Sequence, residues 1–179
     1  MDDIDRRILR ELQKDANLST AQIADRVGLS QTPCWNRIQK LAATGAILRR
    51  VAIVSPEAVG LGLTVLVSIE AGEHNPEWLK RFTRAVSAMP EVLELYRMAG
   101  EVDYELRVVV PDMAAYDEFY KQLIAIVPLR NVTSRFAMER IKSETALPIT
   151  LEREKAARHA VAIRETNGAS SGVHVLAHA

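Results

Sequence analysis

The chain holds a single cysteine, Cys34, among 179 residues. That excludes an intrachain disulfide and a cysteine-based zinc cluster. Cys34 falls on the apolar side of an expected helix and reads as a small buried residue rather than a reactive thiol. No run of about 18 apolar residues occurs, so no membrane-spanning helix is expected. The opening Met1-Asp2-Asp3-Ile4-Asp5 is acidic and lacks the apolar segment of a secretory signal, which points to the cytoplasm. Glycine-rich phosphate loops are missing, as is a convincing set of nucleophile, base and orienter. His159, His174 and His178 lack metal-ligand spacing. The expectation is therefore a protein that is not an enzyme and uses no metal or cofactor.

Net charge is also missing, but its absence conceals an asymmetry. Residues 1–56 hold nine Lys/Arg and six Asp/Glu, and Arg26 to Pro56 holds five basic residues and no acid. Residues 57–150 hold ten basic and fourteen acidic residues. A basic stretch confined to one part of an otherwise acidic chain suggests a face for a polyanion.

What is present begins with a helical pattern. Asp2, Asp3 and Asp5 sit where carboxylates favour the positive end of a helix dipole, and Ile4, Ile8, Leu9 and Leu12 make one apolar stripe. The helix is expected to end at Asn17-Leu18. Ser19 with Gln22 reads as a capping box opening a second helix, with Ile23, Ala24 and Val27 buried. Gly28 permits a left-handed residue and a sharp turn. Ser30 then serves as N-cap of a third helix, Pro33 is tolerated in its first turn, and Gly45 stops it. Cys34, Ile38 and Leu41 are spaced to face inward; Trp35, by its hydrophobic character, is expected in the core, either against the first helix or as a sideways extension of it. Gln31, Thr32, Asn36, Arg37 and Lys40 are left outside. Ala46 to Val54, with Arg49-Arg50 at its centre, reads as a β ribbon, either a wing or a linker strand.

Two helices either side of a tight turn, the second with polar and basic residues outward, is the geometry that inserts one helix into a DNA major groove. Ser30, Gln31 and Thr32 at the helix N-terminus suit a phosphate or a base edge. Asn36 suits adenine, Arg37 a phosphate or a guanine, and Lys40 and Arg49 phosphates. The competing reading of the same face is a three-helix protein-interaction module.

The second half alternates differently. Leu61 to Glu70 reads as a half-buried strand. Asn75-Pro76 opens a helix carrying Trp78, Phe82, Val86 and Met89, which Pro90 ends. Val92–Met98 and Tyr104–Val110 form a hairpin around Gly100–Asp103. Asp112 caps a helix with Met113, Tyr116, Phe119, Tyr120, Leu123 and Val127 on one side, and Val132–Ile141 is a last strand. The order β-α-β-β-α-β is the ferredoxin-like arrangement, two helices on one face of a four-stranded sheet. Its other face would be bare, and exposed apolar area there would mark a dimer interface. Two helix-turn-helix units in one dimer would address two half-sites.

Leu29-Ser30-Gln31-Thr32-Pro33-Cys34-Trp35-Asn36-Arg37-Ile38 and the opening Asp3-Ile4-Asp5-Arg6-Arg7-Ile8-Leu9 resemble the Lrp/AsnC family of bacterial transcription regulators. Met98-Ala99-Gly100-Glu101-Val102-Asp103-Tyr104 and Asn131-Val132-Thr133-Ser134 resemble that family's amino-acid-sensing domain. The resemblance covers residues 1–150. It implies an α+β protein: a winged-helix-like helix-turn-helix domain over 1–54, a linker over 55–60, and an ACT-like sensing and oligomerisation domain over 61–150. It further implies a homodimer or octamer that binds double-stranded DNA, with a free amino acid bound between sensing domains. The effector site then maps onto Met98, Gly100, Glu101 and Asp103, with Thr133 and Ser134 nearby. A glycine lets backbone N–H groups approach a carboxylate, and an aspartate receives an ammonium group. Thr32-Pro-Cys-Trp35, Met98-Ala-Gly-Glu101 and Phe136-Ala-Met-Glu139 are similar to the family's cysteine-responsive branch. Residues 151–179 extend past the family's usual end, as a helix to Arg164 followed by a disordered tail. Two other readings remain: an architectural DNA-binding protein without an effector, and an amino-acid-binding regulatory subunit of an enzyme.

Overall fold

The computed structural model describes residues 1–73, 75–152 and 154. They form two compact units, one of residues 1–51 with the described residues from Ser143 onward, the other Ala52–Lys142. Apart from residues 151, 152 and 154, the expected C-terminal extension lies outside the described residues, its three histidines included.

The first unit contains α1 (Asp3–Lys14), α2 (Thr20–Val27) and α3 (Gln31–Ala43). Asp2 caps α1 through a reciprocal box with Asp5, and Ser19 caps α2 through one with Gln22. α1 stops at Lys14, one turn before Asn17-Leu18, because Asp15 is already extended. Gly28, at φ +74°, ends α2 in the left-handed conformation, and the Leu29 amide closes back on the Ala24 carbonyl. Ile8, Leu9, Ile23, Ala24, Val27, Cys34, Ile38 and Leu41 make one core.

Two expectations fail here. Ala46–Val54 is not a β ribbon; it is irregular chain with Leu48, Val51, Ile53 and Val54 exposed. An apolar run becomes a strand only where a second strand completes its hydrogen bonds, and no described segment does so. Residues 143–150, assigned to the second domain from sequence, belong instead to the helical unit. Ile149 packs on its core. Arg10 donates Nε to the Ile149 carbonyl at 2.8 Å and grips Glu154 with both terminal nitrogens. Gln13 exchanges bonds with the Leu147 backbone, and Arg6 pairs with Glu152. One face of α1 therefore receives a strap formed by residues 147–152 and Glu154.

The second unit is β1 (Leu63–Ala71), α4 (Pro76–Val86), β2 (Val92–Arg97), β3 (Tyr104–Val110), α5 (Met113–Ile126) and β4 (Leu129–Phe136). The sheet is antiparallel in the order β2-β3-β1-β4. Val65, Val67, Ile69, Leu106 and Val108 face α4 and α5, whose Trp78, Phe82, Val86, Tyr116, Phe119 and Leu123 complete the core. Trp78 stacks on Phe82 at 4.9 Å and donates its indole N–H to the Pro128 carbonyl at 3.0 Å. β4 begins three residues earlier and ends five earlier than the sequence suggests. Phe136 is already opposite Val65, near the start of β1, so Met138 and Ile141 run on as exposed chain.

Candidate nucleic-acid interface and effector site

α3 has one buried side and one bare side. Cys34, Ile38 and Leu41 are buried, and burial pushes the Cys34 thiol up from its ordinary value. On the exposed side Gln31, Trp35 and Gln39 form one row at i, i+4 and i+8 beside the buried residues, and Thr32, Asn36 and Lys40 form the next row, opposite them. Ser30 occupies the N-cap position with extended backbone, but its hydroxyl makes no capping bond. Ser30, Gln31, Thr32, Asn36 and Lys40 are thus brought together on one surface.

The structure adds two residues to that surface and separates one from it. Trp35 is 52% exposed and is not a core residue. Gln39 was not among the expected contacts; its helical spacing from Gln31 and Trp35 was the available signal. Arg37 lies to the other side, half-buried between Lys40 and the buried residues. Its Nη1 donates to Asp2 Oδ2 and to Asp5 Oδ1, each at 2.7 Å. Arg26 is likewise paired, with Glu11 at 2.9 Å. Of the five cations between Arg26 and Pro56, only Lys40, Arg49 and Arg50 form no ion pair among the described residues. The cationic surface is therefore smaller than the residue count implies. Asp2 is held below the usual carboxylate range by the Asp5 amide first and the Arg37 guanidinium second. Glu11 is held low by Lys14 and then Arg26.

The second candidate site is divided. Met98, Gly100 and Glu101 lie exposed in the β2–β3 loop, where Gly100 has φ +124°. A side chain there would meet open space, so it is the backbone conformation that calls for glycine. Asp103 does structural duty. Its Oδ2 accepts the Ala71 amide at 2.7 Å, at the register shift between Glu70 and Ala71, and its own amide donates to the Ile69 carbonyl at 2.9 Å. Thr133 and Ser134 part company. Thr133 pairs with Ser68 on the face away from the helices, whereas Ser134 faces α5 and hydrogen-bonds the Tyr116 hydroxyl. β4 lies two strand spacings, roughly 10 Å, from β3. The loop and Thr133 are therefore not gathered into one pocket within the chain.

The helix-free face of the sheet is not the apolar surface expected. Strand alternation places Glu94, Tyr96, Glu105, Arg107, Ser68, Asn131, Thr133 and Arg135 there, with Thr64, Leu66 and Val109 among them, so the face is mixed. Arg107 bonds Glu94 at 2.6 Å, Ser68 donates to Glu105 at 2.6 Å, and Asn131 donates to Glu70 at 3.1 Å. The face therefore combines paired charges with the apolar side chains of Leu66 and Val109.

Comparison with known proteins gives a consistent result. Residues 64–147 match the Lrp/AsnC ligand binding domain, and residues 1–42 match the AsnC-type helix-turn-helix domain. The DNA-binding transcriptional activator DecR of Escherichia coli (strain K12) is 51% identical over 150 residues, spanning 83% of this chain and 99% of that protein. A solved AsnC family transcriptional regulator from Agrobacterium tumefaciens superposes with a TM-score of 0.80 at 58% identity, covering 83% of this chain and 97% of the other. A transcriptional regulator from Neisseria meningitidis, solved as a complex with L-methionine, also gives a TM-score of 0.80, at 31% identity and with 84% and 97% coverage. No helix among the described residues is long and apolar enough to cross a membrane.

Proposed function

The chain belongs to the Lrp/AsnC family of DNA-binding transcriptional regulators, and from that premise we propose that the outer face of α3 reads duplex DNA under the control of a free amino acid bound by the sheet domain. The observation that carries this is the bare stripe Gln31-Trp35-Gln39 with Asn36 and Lys40 beside it. Amide side chains at these positions suit adenine, and Trp35 offers an apolar surface to a thymine methyl. Lys40, exposed on α3, and Arg49, exposed in the irregular chain after it, would neutralise phosphates, and the α3 N-terminus, with Ser30, Gln31 and Thr32, suits a phosphate oxygen.

A homodimer follows from the same reading. Its interface is the helix-free sheet face, where charges of both signs already have partners and meet a second copy without being stranded. Octamers would be assemblies of such dimers, working in the cytoplasm and needing no metal or cofactor. The effector site then draws on two sheet domains: Met98, Gly100 and Glu101 from one loop, Thr133 from a neighbouring strand, and Asp103 as support for the loop. The Neisseria relative in complex with L-methionine supports an amino acid as the ligand class.

The test is thermal unfolding of the full chain against each of the twenty amino acids. A ligand of the folded state raises Tm by mass action, by about 2.7 kcal/mol of stability at one hundred times Kd. A raised Tm with one amino acid or a small set, together with altered DNA affinity, is the expected result. Twenty flat traces would overturn effector control and favour an architectural role.

A further inference from the structure

Arg37 occupies the centre of α3, yet its charge is directed away from the bare face. The reason lies at the start of α1. Asp2 and Asp5 cap that helix reciprocally: Asp2 Oδ1 accepts the Asp5 amide at 2.8 Å and Asp5 Oδ2 accepts the Asp2 amide at 3.1 Å. The remaining oxygens, Asp2 Oδ2 and Asp5 Oδ1, both accept from Arg37. All four carboxylate oxygens are thereby engaged, and the guanidinium rests on a platform fixed by the α1 backbone. The Asp5 side chain is only 12% exposed.

This geometry makes a phosphate contact by Arg37 unfavourable. Turning outward would break two charge-assisted bonds and leave the Asp5 carboxylate without its cation in a poorly hydrated position. It would also strip the counter-charge from two carboxylates beside a DNA-facing helix. The arrangement instead ties α3 to the first turn of α1, independently of the apolar contacts between Ile8, Cys34 and Ile38.

We propose that Arg37 is a positioning residue. It fixes the tilt of α3 through the α1 cap and makes no contact with DNA. This rests on the assignment of α3 as the DNA-reading helix, and Lys40 serves as the internal control for that assignment.

The experiment measures dissociation constants of the full chain and its variants for a labelled duplex taken from upstream of its own gene, as a function of salt. Losing one phosphate contact lowers the slope of log K against log salt by about one. Lys40→Ala is expected to do so. Arg37→Ala is expected to weaken binding about tenfold at every salt concentration with the wild-type slope, and Arg37→Lys to restore part of the loss. Asp5→Ala is expected to weaken binding too, and the Arg37→Ala/Asp5→Ala pair to bind no worse than Arg37→Ala alone. The proposal is overturned if Arg37→Ala lowers the slope by about one, if Asp5→Ala tightens binding, or if the two losses add. An unchanged slope in Lys40→Ala would strike the assignment of α3 instead. Should Arg37→Ala fail to fold, Arg37→Lys and Asp5→Ala carry the same comparison: weaker binding at the wild-type slope upholds the proposal, and a lowered slope or tighter binding overturns it.

Discussion

Thr133 and Ser134, neighbours in sequence, stand on opposite faces of the sheet: Thr133 opposite Ser68, Ser134 against Tyr116 of α5. One of them is available to a ligand held on the helix-free face, and the other is part of the packing beneath α5. Ser134→Ala should therefore lower stability by about 1 kcal/mol through loss of the Tyr116 bond, and leave the response to an amino acid intact. Thermal unfolding with and without effector checks both halves of this statement.

Asp103 holds the end of β1 through the Ala71 amide. Asp103→Ala leaves that amide without its acceptor, and a loss of about 1–2 kcal/mol is expected in the absence of any ligand. Asp103→Asn keeps an acceptor oxygen and should recover most of that stability. If the two variants unfold alike, the role of the Ala71 bond is misassigned.

The acid stability of the helical unit follows from two carboxylates. Asp2 and Glu11 are held below their ordinary range in the folded state, Asp2 by the Asp5 amide and Arg37, Glu11 by Lys14 and Arg26. A depressed folded-state value contributes stability that is complete above the unfolded value, roughly pH 4, and that disappears as pH falls through the folded value. Unfolding free energy should be level from about pH 8 to 5 and decline below about pH 4. Glu11→Gln should flatten part of that decline. Urea unfolding followed across this range would contradict the assignment if stability rose on acidification.

The strap that follows the sheet unit in sequence places Ile149 on the helical core. Ile149→Ala should destabilise that unit by about 1–2 kcal/mol, less than a fully buried isoleucine would. The chain has two tryptophans, Trp35 in the helical unit and Trp78 in the sheet unit. In a Trp78→Phe background the emission reports the helical unit alone. An unchanged urea midpoint there would mean that the strap contributes nothing to it.

The parts of this molecule legible in the sequence are those fixed by short-range chemistry. The Ser19–Gln22 capping box, the left-handed Gly28, the Asn75 and Asp112 caps and the strand alternation of β1 and β3 all lie within a few residues of the elements they define. The order β-α-β-β-α-β followed from them. What sequence did not reveal depends on distant partners. Arg37 reads as a free cation until Asp2 and Asp5 are seen beside it. Residues 143–150 read as the end of the second domain until Arg10 and Gln13 are seen to hold them. Thr133 and Ser134 read as one site until strand register separates them. Trp35 is the exception, since its spacing from Gln31 and Gln39 was visible and only its hydrophobic character argued for the core.

The central claim is that the outer face of α3 selects a DNA sequence. Its most direct measurement is the ratio of affinities for the upstream duplex and for a scrambled duplex of equal length, at fixed salt, for the wild type and for Gln31→Ala/Trp35→Ala/Gln39→Ala. Specific binding should exceed non-specific binding by about a thousandfold or more in the wild type. The triple variant should lose most of that ratio while keeping its affinity for the scrambled duplex. A triple variant that discriminates as well as the wild type would show that the sequence is read by another surface.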